Sequence, residues 1–179
     1  MKPRTLSLAL AASVLAGPAP ADMPYAGQQA RAIKALSDDD IAALRKGEGM
    51  GVAKAAELNG YPGPAHVLVL AAQLGLTDSQ QGNVQTIFGR MSAAAKPLGA
   101  KLIAQEQALD QLFAKSEITP DRLAAATAAI AKLQGRLRSV HLAAHLETRA
   151  LLTADQLARY QQLRGYSDPQ APAAHHHHG

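Results

Sequence analysis

His141 and His145 stand four residues apart, a spacing that puts two imidazoles on one helical face, where they can share a metal ion. His66, much earlier in the chain, is a candidate third ligand from another segment. Glu147 lies near in sequence, but two residues turn it about 200° around a helix, so it points elsewhere. Four further imidazoles, His175, His176, His177 and His178, close the chain before Gly179. Adjacent imidazoles on a flexible tail hold zinc, copper or nickel weakly, whether the run is native or the remnant of a purification tag. The competing reading of each of the other histidines is an ordinary hydrogen-bonded or surface imidazole. The chain has no Cys, which removes thiolate metal sites, disulfides and thiol nucleophiles together. It has no Gly-rich phosphate loop, no Gly-x-Ser-x-Gly elbow and no His-Glu-x-x-His, so neither an enzyme nor an obligatory cofactor is expected.

The elements that must position these histidines are helical. Of the 179 residues 47% are hydrophobic, but only two are Phe, four Tyr and none Trp, and 39 are Ala. Such a composition fills a thin interior between close-packed helices and lacks the supply that sheets draw on. Leu76-Thr77-Asp78-Ser79-Gln80 and Leu152-Thr153-Ala154-Asp155-Gln156 repeat one pattern, Leu-Thr-x-x-Gln. In each copy Thr caps a helix and Gln reaches back to the Thr amide, which is a capping box. Apolar residues from Val84 to Leu112 recur at spacings of three and four, predicting a long helix from Asp78 to about Lys115 with a kink before Pro97. Ile118-Thr119-Pro120 reads as the start of a second long helix, and the short connection makes the two antiparallel. Shorter helices are expected over 38–46 behind Ser37, over 52–58, and along the nearly continuous apolar run 66–74, which should be buried on most sides. The expected fold is all-α, a bent antiparallel hairpin with short flanking helices.

Residues 1–21 read as a secretory signal peptide. Lys2 and Arg4 precede an apolar run from Leu6 to Ala16, and Ala19-Pro20-Ala21 supplies a small-x-small cleavage pattern. The run is about half the roughly 20 residues that a membrane span needs. Loss of Lys2 and Arg4 lowers the formal charge from +4 to +2, so the basicity of the precursor is a weak argument for nucleic acid. No aromatic-plus-basic platform for nucleic acid is present. The remaining boundaries are an N-terminal extension over 22–60, polar and loose at its start, a hairpin domain over 61–166, and a His-rich tail over 167–179.

The paired Leu-Thr-x-x-Gln motifs, carried by Leu76, Thr77, Gln80, Leu152, Thr153 and Gln156, together with the signal peptide and the bent hairpin, resemble the Spy/CpxP family of periplasmic stress proteins. Its relatives include zinc-resistance-associated proteins and periplasmic heavy-metal sensors. The resemblance covers roughly residues 60–166, about 60% of the chain, and residues 22–59 have no counterpart in it. It implies a cradle-like homodimer in the periplasm that protects unfolded or misfolded envelope proteins without ATP, or metal-responsive signalling through a membrane sensor partner. The residues offer some support for client binding. From Gln81 to Tyr166 eleven Lys and Arg face six Asp and Glu, and long basic stems beside an apolar face can hold apolar segments while charge steers encounter. Phe88, Met91, Lys96, Lys101, Arg136 and Arg138 are the candidate client-binding residues. The alternative function is binding of zinc, copper or nickel by a sensor or resistance protein.

Overall fold

The computed structural model describes residues 25–166. The signal-peptide reading of residues 1–21 and the tail histidines His175, His176, His177 and His178 lie outside the described residues. Within them the chain is helical, with α1 (Asp38–Lys46), α2 (Lys54–Glu57), α3 (Pro64–Val69), α4 (Ala71–Leu74), α5 (Asp78–Ala114), α6 (Pro120–Leu151) and α7 (Ala154–Leu163). A single 3-10 turn at Gln28–Ala30 precedes them.

The starts of these helices follow the capping chemistry in the sequence. Ser37, Thr77 and Thr153 each accept a bond from the amide three residues on, and Asp40, Gln80 and Gln156 each return a side-chain oxygen to the cap amide. Thr119 caps α6, with Pro120 in the first position, where a missing N–H costs nothing. Gly47 ends α1 at φ 73°, a conformation that favours glycine.

Helices α5 and α6 form the antiparallel hairpin; α3, α4 and α7 lie against it at its open end, and α1 lies against the middle of α5. Three groups of buried side chains fill the interior. At the open end Val67, Leu74, Val84, Leu152 and Tyr160 pack together. Ile87, Met91 and Ala144 follow along the hairpin. Beyond them Ile33 and Leu44 cover Ala95, Leu102, Ile103, Ile130 and Leu137. Residues 104–129, which form the tip, contain no buried side chain.

Two features differ from the sequence expectation. The stretch before Ser37 is not loose throughout, since Ile33 is buried and Leu36 packs against the same group. Lys34 fastens this stretch to the hairpin by donating its backbone N–H to Asp110 at 3.2 Å, with Nζ 3.6 Å from the same carboxylate. The apolar run 66–74 is not buried on most sides. It breaks at Leu70 into α3 and α4, and Val69 is 80% exposed while Val67 is fully buried. One turn of helix against a hairpin can bury only one of its faces. As the spacing predicts, α5 runs as one long helix through Pro97, which forgoes its bond to the Ala93 carbonyl.

α1 approaches α5 unusually closely. A Cβ built on Gly99 would stand 2.2 Å from the Leu44 carbonyl oxygen, so only glycine admits α1 at this height.

Candidate functional site

His141 and His145 are both buried, at 4% and 8% exposure, on the face of α6 turned toward the N-terminal segments. With His66 from α3 they line one cavity of about 440 Å³. Its roof is the loop Gly47-Glu48-Gly49-Met50-Gly51, and its floor includes Phe88 and Met91 of α5.

Two glycines give the rings room. A Cβ on Gly49 would stand 3.2 Å from His141 Nδ1, and one on Gly63 would stand 2.9 Å from His145 Cε1 and 3.0 Å from its Nε2. The nitrogens of the two rings have different partners. His145 Nδ1 lies 2.7 Å from the Tyr61 carbonyl oxygen. A carbonyl only accepts, so the proton sits on Nδ1 and the lone pair on Nε2. His141 Nε2 is buried with no hydrogen-bond partner. Burial, and then the neighbouring His145, hold the His141 imidazole below its ordinary value of 6.5 and keep it neutral. A neutral imidazole whose other nitrogen donates to a backbone carbonyl is the arrangement found in metal-ligating histidines.

His66 is only partly gathered in. Its side chain is 47% exposed, and its Nδ1 lies 3.3 Å from Glu57 Oε1, while His145 Nδ1 lies 3.8 Å from Glu57 Oε2. Glu57 is buried and heavily committed. It accepts from Tyr160 Oη at 2.5 Å and from the Gly63 amide at 3.1 Å, and Arg164 Nε stands 3.5 Å from Oε1. Burial, and then donation to Glu57, push the Tyr160 phenol well above its ordinary value. Among the described residues no three His, Asp or Glu side chains converge as a ready ligand set. Glu147 pairs with Arg90 instead of turning toward the histidines.

The hub at Glu57 carried no sequence signal. Its partners come from α3, α6 and α7 and the loop after α2, and no spacing rule links them. Met50 was equally silent, although Gly49 and Gly51 beside it mark a loop with unusual backbone demands.

The six residues expected to bind clients do not share one open surface. Lys96, Lys101, Arg136 and Arg138 are exposed, Phe88 is half-buried, and Met91 is packed against Ile87 and Ala144. The apolar seam between α5 and α6 at this height is filled by Ile33, Leu36, Ile41 and Leu44. The two Leu-Thr-x-x-Gln motifs do come together, at the open end of the hairpin, and Leu76, Leu152 and Leu157 pack in the same group there.

A family model described as heavy-metal resistance matches residues 49–159 of this chain. The matched span includes Glu57, His66, Met91, His141, His145 and both motifs, and begins at the cavity's glycine loop. No curated protein and no solved structure matches the chain.

Proposed function

Since the chain belongs to the heavy-metal resistance family, we propose that it captures a transition-metal ion of the zinc, copper or nickel kind in the cell envelope, with His141 and His145 as ligands. The observation that carries this is the state of the two rings. His145 presents Nε2 as a lone pair because Nδ1 is committed to Tyr61 O, and His141, four residues away, keeps a buried Nε2 without a partner. Burial holds the His141 ring below its ordinary value, so binding there would not compete with a proton. Bound metal would supply a positive centre that ties α6 to the cavity wall. Tyr61 orients His145, while Gly49 and Gly63 leave the space both rings need.

Export, a homodimer and a membrane sensor that reads the metal-loaded state belong to the same proposal. The family is not one of enzymes. Protection of unfolded envelope proteins is the second reading. It is less well supported because the apolar seam that a client would use is covered by α1 and the segment before it.

The test is calorimetric titration with Zn(II), Cu(I) and Ni(II) of the full chain carrying His175→Ala, His176→Ala, His177→Ala and His178→Ala. One ion per chain is expected to bind, with binding abolished by His141→Asn and by His145→Asn. A metal at 100 times its dissociation constant would then stabilise the fold by about 2.7 kcal/mol, read as a higher melting temperature. Absence of heat with all three ions, or heat unchanged in both variants, overturns the proposal.

A further inference from the structure

We infer that the cavity is built for a soft monovalent ion, Cu(I), with the thioethers of Met91 and Met50 joining His141 and His145 as donors. This rests on the metal-binding reading above and names the ion it selects. The full sequence has four methionines, of which two, Met50 and Met91, fall among the described residues, and both line the cavity that holds the two buried imidazoles. Met91 is buried against Ala144, which lies between His141 and His145 on α6. Met50 sits over the cavity from the glycine loop, with φ 46°, in the left-handed region that non-glycine residues seldom occupy. A residue in that region is strained and persists where its surroundings impose it.

The remaining donors argue the same way. Zinc in a protein site takes about four nitrogen, oxygen or sulfur ligands in a tetrahedron. Among the described residues no third His, Asp or Glu joins the pair as a ready ligand set, and Glu57 is already engaged by Tyr160, Gly63 and Arg164. Thioether sulfur selects Cu(I), and in a chain without Cys it is the soft donor available. The electrostatics favour low charge as well. Lys46, Lys54 and Arg164 line the cavity against only two carboxylates, Glu48 and Glu57, alongside Phe88 and Leu58, and the cost of bringing an ion out of water rises steeply with its charge.

The experiment uses the full chain with the four tail histidines replaced by Ala. Cu(I) is supplied anaerobically in competition with a chromophoric Cu(I) chelator, and Zn(II) is titrated in parallel. One Cu(I) per chain is expected, with sulfur scatterers in the copper X-ray absorption spectrum that disappear in the Met50→Leu, Met91→Leu double variant. Each single Leu variant is expected to weaken Cu(I) by about ten-fold or more, while Zn(II) affinity stays within about two-fold. Leu for Met conserves volume, so Met91→Leu should fold, and a melting curve checks this. If it does not fold, Met50→Leu, at a 46% exposed position, and the wild-type absorption spectrum carry the test. Cu(I) affinity unchanged in the folded Leu variants, or a spectrum with only nitrogen and oxygen scatterers, overturns the inference. Zn(II) binding without Cu(I) binding also overturns it and leaves the metal-binding reading standing, whereas binding of neither ion removes both.

Discussion

The side-chain amides of Gln80 and Gln156 donate to one another, Nε2 to Oε1, at 2.8 Å in one direction and 3.0 Å in the other. Each oxygen also accepts from its own cap amide, Thr77 N at 3.1 Å and Thr153 N at 3.0 Å. The second N–H of Gln80 reaches the Leu151 carbonyl at 2.9 Å, and that of Gln156 reaches Gly75 at 3.4 Å. Both amides thereby use every donor and acceptor they own. The repeat is a pair of capping boxes joined across 76 residues.

Gln80→Glu tests the junction, because a carboxylate still accepts from Thr77 N but cannot donate across the gap. A loss of about 1–3 kcal/mol in urea unfolding is expected. In a Gln80→Ala, Gln156→Ala cycle the two costs should be coupled by about 1 kcal/mol. Strictly additive costs would show two independent caps.

Glycine substitutions along the hairpin should split in sign. Gly89 lies in α5 with nothing within 4 Å of an added Cβ, so Gly89→Ala is expected to stabilise by about 0.5–1 kcal/mol. Gly99→Ala would drive a methyl to 2.2 Å from the Leu44 carbonyl oxygen, and overpacking of that kind costs about 1–3 kcal/mol or more. Its melting curve should fall, with loss of hydrogen-exchange protection concentrated in α1.

Acidity should loosen the cavity. His141 is held below its ordinary value of 6.5 in the folded protein, so the unfolded chain takes up its proton first as pH falls. The stability tied to the neutral ring is therefore present above 6.5 and is lost as pH drops through the folded value. Urea midpoints at about pH 7.5 and about pH 5.5 should differ, and His141→Gln should reduce the difference. An NMR titration in which the His141 ring protonates at or above 6.5 in the folded state would contradict this.

Tyr160 is fully buried and donates to Glu57. Tyr160→Phe keeps the ring and removes the donor, leaving a buried carboxylate oxygen short of a partner, at a cost of about 1–3 kcal/mol. In alkaline absorbance titration the Tyr160 phenolate, identified by difference from the Phe variant, should emerge only as the protein unfolds. Its ionisation in the folded protein would show that the phenol is open to water.

Capping chemistry made most of the helix starts legible, because Ser37, Thr77, Thr119 and Thr153 act within three residues of themselves. The apolar spacing from Val84 to Leu112 likewise fixed the hairpin's inward face. What escaped was contact between distant segments. Ile33 and Leu36 look like isolated apolar residues in a polar stretch until the hairpin supplies something to cover. Glu57 reads as one more surface acid, since Tyr160 and Arg164, more than a hundred residues on, are what bury it. The His141–His145 pair was visible from spacing alone. The Tyr61 carbonyl that holds His145 Nδ1 comes from a distant loop, and the two methionines that line the same cavity depend on how α5 and the glycine loop meet.

The covering of the hairpin by Ile33 and Leu44 has a consequence for the order of events during synthesis. Their partners Leu102, Ile103, Ile130 and Leu137 leave the ribosome long after them, so the first stretch to emerge is among the last that can dock. Until both long helices have zipped, that stretch and the greasy stripe it shields are each bare, and contacts of such long sequence separation form slowly. A nascent chain of this protein thus passes through a period in which it needs the guardianship of others.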